Sequence, residues 1–172
     1  MDKIMEHWDL YDENRQPLNR TLIRGEQKQP NEYHTVVEVW TVNSNGEILV
    51  TLRDSNKIDY PDKWENTGGS VLTGETSRQG AIRELYEETG IVASEDELIL
   101  LGTYQEKSAF VDIYLLRRDI SIENIVLQKG ETVDAKWITL DILDNMIKDL
   151  TLAQPTGIHL QYVRREFERY TK

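Results

Sequence analysis

The chain has 172 residues and a net charge of −11, with 30% charged and 38% hydrophobic residues. That length favours one folded domain with a sizeable core. The acidic balance argues against a phosphate-binding surface for a nucleic-acid polymer. The absence of cysteine excludes disulfides, thiolate metal sites and a cysteine nucleophile. The opening segment MDKIMEHWDLYDENR has no apolar core of the signal-peptide kind, and no apolar run approaches the ~20 residues of a bilayer-spanning helix. The expectation is therefore a cytoplasmic protein with no membrane partner.

In chain order, His7 to Tyr11 and Leu18 to Ile23 read as short strands around the turn-rich segment Asp12 to Pro17. This N-terminal hairpin, within residues 1–31, either pairs with a second copy to make a homodimer or lengthens the sheet. Gly25 to Asn31 is a polar loop. Thr35 to Val42 alternates as a strand and, across Asn45-Gly46, predicts a hairpin with Glu47 to Leu52. Arg53 to Trp64 reads as a loop at the sheet edge. Glu65 to Leu72 reads as a short strand broken by Gly68-Gly69.

Thr76 to Thr89 is helical, stopped by Gly90. Leu98 to Gln105 and Phe110 to Arg117 form an antiparallel pair, and Val133 to Thr139 is a further strand. Asp141 to Leu150 is a helix with Asp141 as N-cap. Pro155-Thr156-Gly157 breaks the chain before a last helix, Ile158 to Tyr170. Strands interleaved with a few helices predict a layered α/β domain.

The first helix carries the chemistry. At about 100° per residue, Glu87 falls at about −60° and Glu88 at about +40° from Glu84, so the three carboxylates share a face. Ile82, Leu85, Tyr86 and Thr89 fall opposite, on the core-facing stripe. Gly80 lies on the carboxylate face and leaves room for a ligand. Like charges at this spacing repel by a few tenths of a kcal/mol per pair. Arg83 offsets part of that through Glu87, and a hard divalent cation would offset more. Taken alone, such a glutamate trio is more often a solvated helix face.

Its surroundings change that reading. Gly69, Glu75 and Arg83-Glu84-Leu85-Tyr86-Glu87-Glu88-Thr89-Gly90-Ile91 match the Nudix box, GX5EX7REUXEEXGU with U aliphatic, at every specified position. A chance match at one starting point falls below about one in a hundred million at average residue frequencies. The chain thus resembles the Nudix hydrolases. The resemblance implies an α/β/α sandwich with a mixed sheet and a loop–helix–loop catalytic motif at residues 69–91. It also implies hydrolysis of a diphosphate in a small nucleoside diphosphate linked to a group X. It assigns Glu84, Glu87 and Glu88, with the Gly69 carbonyl, to Mg²⁺, for which Mn²⁺ can substitute. Glu75 and Arg83 are expected to pair and brace the loop against the helix.

Outside the box, Tyr33-His34, Leu52-Arg53, Lys57, Pro61-Asp62-Lys63-Trp64 and the hairpin WDLYDENRQPLNR are similar to the isopentenyl-diphosphate isomerase-like branch. The isomerases use a cysteine five residues after that Trp and a metal-binding histidine two residues later. Here those places hold Gly69 and Val71, so the resemblance implies a hydrolase rather than an isomerase. Arg53 and Lys57 match the cations that hold the isomerases' diphosphate. His34 matches a metal ligand whose partner histidine is missing, and His7 and His159 have no supporting pattern. Glu131, six residues before Trp137, matches the acidic residue that many Nudix hydrolases add from a later loop; Asp134 and Glu106 are second and third choices. The catalytic candidates are Glu84, Glu87 and Glu131, with Glu84 or Glu131 as the general base. Tyr60, Trp64, Tyr104 and Phe110 are candidates for stacking on X, while Trp40 and Trp137 are expected in the core. A non-catalytic binding module on this scaffold is the alternative, and prenyl-diphosphate isomerisation a more distant one.

Overall fold

The computed structural model describes residues 5–172, in nine strands and three α-helices. The strands are β1 (His7–Tyr11), β2 (Pro17–Ile23), β3 (His34–Val42), β4 (Ile48–Arg53), β5 (Trp64–Glu65), β6 (Thr67–Ser70), β7 (Ile99–Gln105), β8 (Ala109–Arg117) and β9 (Thr132–Ile138). The helices are α1 (Ser77–Thr89), α2 (Leu140–Lys148) and α3 (Gln154–Phe167).

Seven strands form one mixed sheet with β3 at its centre. β3 pairs parallel with β8 over nine residues and antiparallel with β6, and β4 carries β5 and β9. Both faces of the sheet are covered, so β3 and β8 are buried almost throughout. Trp40, Val42, Val111, Ile113 and Leu115 pack under α2 and α3. Val37, Val39, Tyr114 and Leu116 point the other way and pack against Ala81 and Leu85 of α1. The period-2 alternation of a strand thus serves two cores from one segment. Phe167 closes the α3 side with its ring edge-on to Trp40, centroids 5.3 Å apart. This is the expected α/β/α arrangement.

Several local expectations are corrected. The Asn45-Gly46 turn is a five-residue loop, Asn43 to Glu47, in which the Asn43 side chain accepts from the amides of Asn45 and Glu47. β3 and β4 meet only at Val42 and Ile48, because β6 takes the edge of β3 further back. Gly68-Gly69 does not break a strand. It lies within β6 opposite Glu38 and Val37, and the break falls at Asn66. Thr139, not Asp141, caps α2, its hydroxyl accepting from the Ile142 amide; Asp141 sits in the first turn, where its charge suits the helix dipole. Pro155 does not stop the chain. It lies in the first turn of α3, where a missing N–H costs nothing. Tyr86, placed on the core stripe of α1, is 59% exposed. Trp40 is fully buried, whereas Trp137 is partly buried and donates to the Ile120 carbonyl.

The hairpin β1–β2 is a separate two-stranded sheet that does not lengthen the main one. A bridge between Tyr11 and Tyr33 links the two. At its tip, Arg15 makes a two-pronged ion pair with buried Asp112 of β8, at 2.7 and 2.5 Å, and Asp112 also accepts from Ser77 and Thr103.

α1 starts with a capping box, Thr76 accepting from Gln79 N–H while the Gln79 side chain accepts from the Thr76 amide. It ends at Gly90, in the left-handed conformation at φ 75°. Leu85 anchors α1 with no solvent exposure. Leu85→Ala should lower stability by about 2–5 kcal/mol, read as the shift in a urea unfolding midpoint at constant slope.

Candidate active site

The box positions its carboxylates through one close approach. Gly68 and Gly69 of β6 carry no side chains, and α1 packs directly on them. A Cβ on Gly69 would lie 2.2 Å from the Glu84 carboxyl carbon, so any other residue would evict Glu84. A Cβ on Gly80 would meet Val71 at 3.0 Å and Glu75 at 3.3 Å. Gly80 therefore lets the preceding loop press on α1, and is not a gap left for a ligand.

Arg83 holds loop and helix together. Its guanidinium donates to Glu75 at 2.6 and 3.1 Å, to Glu84 at 2.8 Å and to the Ser70 carbonyl at 3.0 Å, with a longer contact of 3.4 Å to Glu87. The anticipated Glu75–Arg83 pairing is present in the geometry.

The three carboxylates differ in environment. Glu87 is exposed, Glu84 is half-buried and Glu88 is buried. Burial pushes the Glu84 carboxyl up to about 7 against the pull of Arg83, with Glu87 and Glu6 adding to the rise. Burial also drives Glu88 well above the carboxylate range, reinforced by Glu65, Glu84 and Glu131, and its one amide partner, Gly68 N–H, is 3.4 Å away. A buried carboxylate with so little compensation suits a cation partner. Hard oxygen donors suit a divalent ion of the Mg²⁺ type. Among the described residues, no group of three or more His, Asp or Glu side chains is gathered so as to hold a metal ion by itself.

Gly68, Gly69, Glu84, Glu87 and Glu88 line a cavity of about 260 Å³ together with Arg53, Lys57 and Glu131. The distant candidates of the sequence thus meet the box residues. The two cations are already engaged, however. Arg53 donates to both Glu65 oxygens, at 3.0 and 3.1 Å, and to the Asp59 carbonyl, and Lys57 is paired with Glu131. Asp134 and Glu106 do not line this cavity. His34 is buried, stacks on Trp8 at 4.3 Å and lies within hydrogen-bonding distance of Ser70 and the Ser108 carbonyl. Burial lowers its pKa to about 4, so it stands as a neutral packing residue rather than beside the carboxylates.

Glu6, Trp8 and Arg24, from the hairpin and its flanks, also line this cavity, and nothing in their local pattern pointed there. A second unforeseen group lies beside it. His159 of α3 sits between Glu38, 2.5 Å from Nδ1, and Glu106, 2.9 Å from Nε2. A signal was present for Glu38, a lone acid in the apolar run Val36 to Val42, since a buried charge needs partners.

Comparison with known proteins places the chain. The NUDIX domain model matches residues 32–160, and the chain belongs to that family. An uncharacterized Nudix hydrolase of Listeria monocytogenes is 37% identical over 141 residues, covering 81% of this chain and 83% of its own. The chain is accordingly an enzyme of the Nudix pyrophosphohydrolase type. A crystal structure from Deinococcus radiodurans superposes with a TM-score of 0.75 at 24% identity, over 93% of this chain and 98% of that one. A bifunctional NMN adenylyltransferase/ADP-ribose pyrophosphatase of Francisella tularensis, complexed with AMP and a manganese ion, superposes with a TM-score of 0.58 at 21% identity. That match covers 78% of this chain and 42% of the Francisella protein. The residues before 32, including the hairpin, precede the matched family span. No helix among the described residues is long and apolar enough to cross a membrane.

The Glu38–His159–Glu106 group generates a pH prediction. Burial opposes the His159 charge, but both carboxylates outweigh it and raise its pKa from 6.5 to about 9. A group raised on folding contributes its full stability below its unfolded pKa and loses it as pH rises through the folded value. Wild-type stability should therefore fall, relative to His159→Gln, between about pH 6.5 and pH 9. Parallel urea titrations of the two proteins across that range would measure the difference.

Proposed function

We propose that this enzyme hydrolyses a diphosphate linkage in a small nucleoside-diphosphate-type compound, using Mg²⁺ held by Glu84, Glu87, Glu88 and the Gly69 carbonyl. Mn²⁺ is the natural substitute. The supporting observation is the single cavity shared by the box carboxylates, Gly69, Glu131, Arg53 and Lys57. When bound, such an ion withdraws charge from the diphosphate oxygens and lowers the pKa of water.

The chain's own residues have complementary tasks. Glu75 and Arg83 hold the Ser70 end of β6 against α1, so the carboxylates keep their spacing. Arg53 and Lys57 offset the negative charge of a diphosphate entering an otherwise acidic cavity. Lys57 must loosen from Glu131 to do so, and that exchange frees the Glu131 carboxylate. A water attacking phosphorus has to lose a proton, and Glu84 or Glu131 is the cavity carboxylate we assign to receive it. The manganese and ADP-ribose chemistry named for the Francisella protein is consistent with this substrate class.

Glu87 is the cleanest probe because it is exposed, so its replacement leaves the core untouched. Glu87→Gln should lower Mg²⁺-dependent kcat/KM by about 10²-fold or more with an unchanged unfolding midpoint. The assay is monophosphate release from a panel of nucleotide sugars, dinucleotides, nucleoside triphosphates and CoA esters. Wild-type activity in the variant would overturn the metal assignment. Ligand binding without turnover in Mg²⁺ or Mn²⁺ would favour a binding module instead.

A further inference from the structure

Two more cavities lead away from the carboxylate face. The first, about 250 Å³, shares Arg53, Gly68 and Gly69 with the carboxylate cavity. The second, about 390 Å³, shares Tyr60, Glu106, Pro155 and His159 with the first. Together they make one cleft that begins at the proposed diphosphate position and runs between Tyr60 and α3. A cleft of this size suits a small-molecule group.

Its chemistry narrows the occupant. Ionisable groups along the cleft are balanced: Glu38, Glu65 and Glu106 face Arg53, His159 and Lys107. Arg53 is committed to the diphosphate end and His159 is tied to Glu38 and Glu106, so no strong anion site is left for a further phosphate. A hydrocarbon chain would strip water from the Glu106 carboxylate without replacing its hydrogen bonds, which is costly. Glu106 spends Oε1 on His159, and its side chain is 40% exposed, so Oε2 can accept a donor from a ligand. His159 fixes the carboxylate in place by donating to it. Tyr60 is 42% exposed on the facing wall and held at φ 51°, a conformation a bulky residue rarely adopts. The Asp59 carbonyl, next to it, is gripped by two Arg53 N–H groups at 2.7 and 3.0 Å. Of the four aromatics considered for stacking, Phe110 is buried and Trp64 is covered by Lys136, 4.1 Å from its ring centre.

We propose that this cleft receives a neutral, hydroxyl-bearing sugar ring attached to the diphosphate, with Glu106 accepting its hydroxyls and Tyr60 covering its face. His159 is a positioning residue for Glu106. The assignment rests on the hydrolase reading above and adds to it the residues that recognise the ring. The ring belongs either to the nucleoside or to X, and the two differ in which deoxygenation matters.

Steady-state kinetics on ADP-ribose, on its analogue deoxygenated at the nucleoside ribose, and on ADP carrying a butyl group in place of X would test it. Glu106→Gln should raise KM about 10-fold or more for the hydroxylated substrate, because a charged acceptor is lost, with kcat within about threefold. KM for the analogue lacking the recognised hydroxyls should be unchanged, so the preference collapses. A merely structural role would raise KM for both alike. Tyr60→Ala should raise KM for every ring-bearing substrate. An unaltered preference in Glu106→Gln, in a wild type that turns over both, would overturn the cleft assignment and leave the hydrolase intact. If the wild type hydrolyses neither these nor any compound of the panel above, the proposed reaction fails. Calorimetric titration with ADP-ribose and Mg²⁺ then judges the cleft: weaker binding in Glu106→Gln supports it, and equal affinity overturns it.

Discussion

The close packing of α1 on Gly68 and Gly69 is the constraint from which the site follows. Without side chains on that strand, the carboxyl of Glu84 comes within the space a Cβ would fill. The same contact buries Glu88 against the Gly68 amide. Of three carboxylates that would repel on an open helix, Glu84 and Glu88 are thereby held against backbone, while Glu87 stays in water. Arg83 makes the arrangement tolerable, since one guanidinium reaches Glu75, Glu84 and the Ser70 carbonyl and so joins loop, strand and helix. What remains least compensated is Glu88, whose burial with one long amide contact is the reason for assigning it to the proposed cation.

The sheet divides labour between its two faces. α1 covers one face and brings the carboxylates to the edge of β6. α2 and α3 cover the other, and α3 brings His159 to the same end of the molecule. Glu38 links the two regions: it lies in β3 opposite Gly68, yet accepts from His159 and Asn66. A helix whose first turn reads as a chain break in sequence therefore supplies the wall of the proposed sugar cleft. The hairpin β1–β2 outside the matched family span supplies a wall of the carboxylate cavity through Trp8, and is tied down by the Arg15–Asp112 ion pair.

The residues that sequence reasoning placed well share one property: their role depends on neighbours a few positions away. Gly69, Glu75, Arg83 and the glutamates of α1 lie within one strand–loop–helix unit, and the capping box and Gly90 set that helix locally. Misplaced features depended on partners far along the chain. The Asn-Gly turn was a sound local signal, but β6 competes for the edge of β3. Tyr86 fits the apolar period of α1, but no element covers it. Glu106 looked like a loop carboxylate near the metal, whereas His159, distant in sequence, draws it towards α3. The isomerase-like features outside the box remain a resemblance in sequence, and the Listeria relative is named as a Nudix hydrolase.

By itself the sequence determined the family, the layered α/β class and the carboxylate face of α1, because a fixed spacing on a helix and a periodic apolar pattern are local geometry. Tertiary structure alone decided that Glu88 is buried while Glu87 is exposed, that Arg53 and Lys57 are already paired, and that Glu38, Glu106 and His159 form one group. Burial and ion pairing depend on which distant segments cover a residue. Such coverage is set by how the sheet and helices pack, and no window of sequence contains it.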